Sequence, residues 1–118
     1  MASDLFGTVI SVLLAPGSQE LIVALGRTTI INITSPGNVT LTGIFSTTGN
    51  VDGMVVCLSN LNNNSFQVTC AHESLAANAV DRFRNAGLTD VSGGTGAGGL
   101  WYRYNGSISR FVNLGRTA

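Results

Sequence analysis

Leu100-Trp101-Tyr102-Arg103-Tyr104-Asn105-Gly106-Ser107-Ile108-Ser109-Arg110-Phe111-Val112-Asn113 is the stretch whose reading decides the fold class. Aromatic and β-branched residues flank Asn105-Gly106, and a two-residue type I′ turn needs positive φ at both central positions, which Asn and Gly tolerate. The stretch predicts a β-hairpin with Tyr104 opposite Ser107, Tyr102 opposite Ser109 and Leu100 opposite Phe111. On that register Trp101 faces Arg110, within reach of a cation–π pair, and Arg103 faces Ile108.

The same signals recur upstream. Strand-like runs at 7–14, 21–25, 28–33, 38–43, 53–59 and 65–71, with 100–104 and 107–113, are separated by Gly, Pro, Asn, Asp and Ser clusters. Val39 and Leu41 alternate with Thr40 and Thr42, and Phe66, Val68 and Cys70 with Gln67 and Thr69, the period of a half-buried strand. The run 53–59 is apolar on both faces, which predicts a central strand. Only 74–85 has helical spacing, through Leu75, Ala79 and Phe83, and an ordered loop fits that segment equally well. About eight short strands with at most one short helix predict an all-β, jelly-roll-like antiparallel β-sandwich, an immunoglobulin-like topology being the alternative. At 118 residues one domain is expected: 1–20 as an N-terminal arm or first strand, and 21–118 as the sandwich.

Composition narrows the function classes. Six basic residues, all arginine, balance six acidic ones, and charged residues make up 10% of the chain, so there is no electrostatic footprint for nucleic acid. So little charge with a positive mean hydropathy predicts that some surface is buried against other chains. No run approaches the roughly 18 apolar residues of a membrane span, and 9–15 lacks a basic leader, so neither a membrane nor a signal peptide is expected. Cys57 and Cys70 lie on segments expected to neighbour one another about three residues out of register, which predicts free, buried thiols and a reducing cytoplasm as the place of assembly.

The candidate chemical motifs each have a plainer reading. Gly94-Thr95-Gly96-Ala97-Gly98-Gly99 has the spacing of a dinucleotide fingerprint, but a strand rather than a helix follows it, and a chain without lysine has no Walker loop. His72 is the only histidine, too few for most metal sites, and no serine sits in a nucleophile elbow. Asp52, in Asn50-Val51-Asp52-Gly53, is expected to cap its own turn. Glu73 and Arg82 flank 74–81 and are expected to pair and lock that segment onto the sandwich. No cofactor, metal or catalytic residue is expected, and a glycan hydrolase would require Asp52 and Glu73 to face one cleft.

Residues 38–114, nearly two-thirds of the chain, carry an ordered series. It runs from Val39-Thr40-Leu41-Thr42-Gly43-Ile44 through Val51-Asp52-Gly53, Val55-Val56-Cys57-Leu58-Ser59-Asn60 and His72-Glu73-Ser74. It continues with Ala76-Ala77-Asn78 and Asp81-Arg82-Phe83 and ends with Leu100-Trp101-Tyr102 and Arg110-Phe111. The series resembles a β-domain of bacteriophage minor virion proteins, tail-fibre tips and capsid decoration (cement) proteins. That family usually closes in Arg-Trp where this chain has Arg110-Phe111, and 89–98 is richer in glycine than its pattern. The resemblance implies a non-enzymatic structural protein of the virion. With no fibrous repeat in this sequence, the favoured form is a homotrimer on the capsid outer surface, bound to the major capsid protein. Leu5, Phe6, Val9, Val12 and Leu14 are the expected capsid contacts. Met54, Val56, Leu58, Trp101, Arg103 and Arg110 are the expected trimer contacts, and the loops at 60–64 and 89–98 are expected to point outward. The rival reading is a receptor-binding or adsorption protein that grips host glycans with Trp101 or Tyr104 and Asn62–Asn64.

Overall fold

Every run with a strand signal forms a strand, and two short ones, invisible to a pattern search, join them. The computed structural model describes residues 7–62, 66–93 and 98–117. In chain order the strands are β1 (Thr8–Leu13), β2 (Gly17–Val23), β3 (Thr28–Thr34), β4 (Val39–Ser46), β5 (Val55–Asn60), β6 (Val68–Cys70), β7 (Phe83–Arg84), β8 (Val91–Gly93), β9 (Gly98–Asn105) and β10 (Arg110–Thr117). The helix-like spacing at 74–85 yields an ordered loop with one 3₁₀ turn, Ala79–Asp81, followed by β7.

The strands form two sheets, one of six in the order β1-β3-β5-β9-β10-β7 and one of four in the order β2-β4-β6-β8. From β1 to β6 the chain alternates between them, so each sheet receives every second strand and the neighbours are parallel. Parallel neighbours need a long crossover, and here the crossover is a strand of the opposite sheet. Thr8 aligns with Thr29 and Gly17 with Val39, which makes one coil of 21 or 22 residues. The antiparallel jelly roll expected from the sequence does not form: five of the eight ladders are parallel. The antiparallel β9–β10 hairpin then extends the larger sheet beyond β5.

Short corners make this coiling possible. A Cβ on Gly37 would lie 3.0 Å from the Pro16 ring, so glycine at 37 lets the β3–β4 corner stack closely on the β1–β2 corner. The first strand is thus a paired edge strand, aligned residue by residue with β3, rather than a free arm.

The core lies between the sheets. Leu21, Ile31, Ile33, Leu41, Ile44, Val56, Leu58, Leu100, Tyr102 and Phe111 are almost wholly buried there. Phe83 packs its ring 4.8 Å from Tyr102, and Tyr104 meets Phe111 edge-on at 4.8 Å. Met54, Val56 and Leu58, expected at a trimer contact, are instead part of this core, 8%, 1% and 1% exposed. A strand apolar on both faces is indeed central, but its Met54–Val56–Leu58 side faces the opposite sheet of its own chain. Cys57 and Cys70 are free and buried as expected, but they sit in different sheets rather than on neighbouring strands.

The hairpin at the C-terminal end pairs differently from its sequence reading. Asn105 aligns with Arg110, Tyr104 with Phe111 and Tyr102 with Asn113, so four residues form the turn and the register lies four positions from the expected one. Two hydrogen bonds oppose a type I′ turn: Ser107 N donates to Asn105 Oδ1 at 2.9 Å, a local bond, and Gly106 N donates to the distant Asp52 Oδ1 at 2.8 Å. Ser109 supplies the left-handed residue, φ 55°. Gly106 serves close approach instead, since a Cβ there would lie 2.9 Å from that of Asp52.

Candidate functional site

Strand alternation sends one set of side chains into the core and the other to the outer face of its sheet. On the larger sheet the ladders place Val9 beside Ile30, Ile30 beside Cys57 and Cys57 beside Trp101. These four form one apolar row across β1, β3, β5 and β9. The next row runs Thr28, Val55, Arg103, Val112 and Arg84. Val9 is 64% exposed and Leu13, four residues on along the same face, 77%. Cys57 is only 5% exposed, flanked by Ile30 and Trp101, and burial pushes its thiol pKa up.

Charge gathers at one margin of this face. Arg103 lies 3.7 Å from Asp52. Beyond it Glu73, held at φ 46°, accepts from Arg110 Nε at 2.8 Å and from Arg84 Nε at 3.1 Å. Partial burial alone would raise the Glu73 pKa, but hydrogen bonds from Arg110 and Arg84 outweigh it and hold the carboxyl below its ordinary value. An apolar centre with a polar, charged rim is the anatomy of a protein-binding surface.

The outer face of the smaller sheet differs. Ser18, Thr40, Thr69 and Ser92 form a row of hydroxyls, Thr69 and Ser92 hydrogen-bonded at 2.7 Å, and only Ile22 and Phe45 present an exposed apolar pair beyond it. Two shallow clefts lie at corners, one of about 540 Å³ walled by Arg27, Thr48, Val51, Asp52 and Met54, the other of about 600 Å³ between Leu13–Pro16 and Thr34–Pro36.

The residues singled out from the sequence separate accordingly. Val9, Trp101 and Arg103 are brought together on the outer face. Val12 and Leu14 turn inward and pack on the core, leaving Leu13, within the same 9–14 run, as the exposed member. Leu5 and Phe6 lie outside the described residues, as do Asn63 and Asn64. Arg110 pairs with Glu73 and aligns with Asn105, so the cation–π pair with Trp101 does not form; Trp101 aligns with Gly115. Glu73 does fix its segment, but through Arg84 and Arg110 rather than Arg82, whose Nε donates to the Ala77 carbonyl at 3.1 Å. Nothing in the spacing of the arginines distinguished these partners; the parallel β7–β10 pairing does.

For glycan binding, Tyr104 is 4% exposed with its hydroxyl donating to the Val80 carbonyl at 2.9 Å, and Asn62 is 6% exposed and hydrogen-bonded to Ser35. Neither can stack on or bond a sugar. Asn60 is buried too, so the 60–64 loop turns inward at these two residues. Asp52 binds Arg103 and the Gly106 amide instead of capping its own turn. It lines the first cleft while Glu73 does not, so the two carboxylates do not share that cleft. Among the described residues, no three His, Cys, Asp or Glu side chains gather to hold a metal, and no helix is long and apolar enough to cross a membrane.

No protein-family model, no curated protein and no solved structure matches the chain.

Proposed function

We propose that the protein is a structural component of a bacteriophage virion, a capsid decoration protein that works by docking. The observation that carries this reading is the outward apolar row Val9–Ile30–Cys57–Trp101, most exposed at Val9, with its charged margin. Exposed apolar patches of this kind mark interaction surfaces. The resemblance of residues 38–114 to phage virion β-domains supports the choice of partner.

Size favours multiple contacts. Six strands about 4.8 Å apart, on average about six residues long at about 3.3 Å per residue, make a face of roughly 24 by 20 Å, on the order of 500 Å². A stable two-body interface takes about 800 Å² per partner. One face is therefore too small to bind firmly alone, and a trimer seated over several major capsid protein subunits multiplies modest affinities into firm attachment. On this reading the protein clamps the outer surface of the shell against internal pressure.

The test is to add purified protein to matching shells that lack it, then measure occupancy and the temperature of shell rupture. Saturable binding with a higher rupture temperature is the expected result. Absence of binding to any shell overturns the proposal.

A further inference from the structure

Among the described residues, two buried side-chain atoms have no hydrogen-bond partner, Asn50 Oδ1 and Asp81 Oδ2. They belong to groups that already touch. Asn50 Nδ2 donates to Asp81 Oδ1 and to the Val80 carbonyl, both at 3.2 Å. Because both of its neighbours are acceptors, the amide has one acceptable orientation, and turning it over would set oxygen against oxygen. The two orphans are thus the remaining oxygen of an amide and the remaining oxygen of the carboxyl it binds. Asp81 is 2% exposed, and no arginine pairs with it among the described residues. Buried acceptors without donors are costly, and a buried carboxylate without a counter-charge more so.

We propose that Asp81 is a neutral carboxylic acid in this fold, its Oδ2–H donating to Asn50 Oδ1 while Asn50 Nδ2–H donates to Asp81 Oδ1, so that the two side chains close a cyclic acid–amide latch. One proton on one atom supplies both orphans at once. The latch ties the Ala79–Asp81 turn to the loop between β4 and β5. The turn sits flush on β4, where a Cβ on Gly43 would lie 2.5 Å from the Asp81 carbonyl oxygen.

The surroundings favour the neutral form. From β2, Glu20 faces Asp81, and its own pKa is raised first by burial and then by the Asp81 charge. From β9, Tyr104 donates its hydroxyl to the Val80 carbonyl, and its pKa is raised first by burial, with the Asp81 charge adding to it. Arg110, a base acting on Tyr104, is engaged by Glu73. Burial raises the Asp81 pKa, opposed by the Asn50 hydrogen bond. For an acid whose pKa is raised on folding, the stabilisation is fully present below the unfolded value, about 4, and is lost as pH rises through the folded value. The latch therefore opens on the alkaline side.

The experiment is a pH titration of the side-chain carboxyl carbons in ¹³C-labelled protein, with Asp81 assigned by through-bond correlation, beside melting curves of wild type and Asp81→Asn. The expected result is that Asp81 stays protonated as pH rises past the ordinary aspartate value, and that wild-type Tm falls as Asp81 finally titrates. Asp81→Asn, whose amide nitrogen can donate in place of the hydroxyl, keeps the neutral-pH Tm or raises it and loses that pH dependence. Titration of Asp81 at or below the ordinary aspartate value overturns the latch, whether or not the variant folds. So does a rise in wild-type Tm on adding calcium or magnesium chloride that Asp81→Asn lacks, since the two oxygens would then be holding a cation.

Discussion

Replacing Val9 and Leu13 together by serine should abolish docking and leave the fold intact. Both side chains stand on the outer face of β1, 64% and 77% exposed, and so contribute little to the chain's own core. Full burial of a Val or Leu side chain is worth about 2 to 2.5 kcal/mol. Covering the exposed two-thirds of Val9 then gains about 1.3 kcal/mol and covering the exposed three-quarters of Leu13 about 1.9 kcal/mol. Losing both costs about 3 kcal/mol per docking event, roughly a 150-fold weaker affinity. If three copies bind together the loss multiplies, and occupancy disappears at any practical concentration. Surface substitutions clear of special features shift stability by no more than about 0.5 kcal/mol, so urea midpoints should be unchanged. Shell occupancy and sedimentation velocity on the same sample separate attachment from self-association. Unaltered occupancy together with an unaltered oligomer would refute the assignment of this face. A stability loss near 3 kcal/mol would refute its exposure.

Other substitutions probe the scaffold beneath it. Asn85→Ala removes the partners that the Tyr102 hydroxyl and the Cys70 carbonyl have at 2.5 and 2.9 Å; losing two buried hydrogen bonds should cost about 2–5 kcal/mol in urea unfolding. Glu73→Gln removes a carboxylate whose pKa is lowered on folding, so its stabilisation is present above the ordinary glutamate pKa and lost as pH falls through the folded value; the variant should be less stable at neutral pH and show a shallower acid limb in Tm. Thiol reagent at pH 8 should leave Cys70 unmodified in the native protein, because complete burial pushes its pKa up to about 12, and both cysteines should react once the chain is unfolded in urea.

The strands were legible from the sequence because each carries its own period, and the assignment of Tyr102 and Phe111 to the inner face and of Trp101 and Arg103 to the outer one needed only alternation. The coil was not legible. Its first turns repeat at 21 and 22 residues, but Thr28 aligns with Val55 and Val39 with Val68, at 27 and 29 residues, because the loops before β5 and β6 lengthen the later turns. A repeat of unequal length leaves no fixed period in the sequence. The hairpin register failed for a different reason. Asn105-Gly106 has the composition of a type I′ turn, but Asp52, 54 residues from Gly106, takes the amide that such a turn would have oriented otherwise. Likewise the partners of Glu73 follow from the parallel alignment of β7 with β10, a pairing of two residues that no pattern search detects.

The placement of charge bears on which part of the face does the binding. Arg84, Arg103 and Arg110 are each matched by Asp52 or Glu73, all on the β9–β10–β7 side. The six residues of β1 carry no charge, and the outward residues of β3 and β5 are Thr28, Ile30, Asn32, Thr34, Val55, Cys57 and Ser59, none of them charged. Edge strands are ordinarily guarded by a charge, a proline or a bulge. The other edge at this end of the coil, β2, has two of these, Glu20 and the irregularity between Gln19 and Leu21, whereas β1 has none within Thr8–Leu13. An unguarded edge beside an apolar row is tolerable in a chain this low in charge only if something covers it. The paired arginines at the opposite margin would then set orientation and association rate, and the β1–β3–β5 side the strength of binding. Arg103→Ala should therefore slow attachment and weaken its salt dependence, while Val9→Ser with Leu13→Ser should speed release; the reverse pattern in surface plasmon resonance on immobilised shells would exchange the two roles.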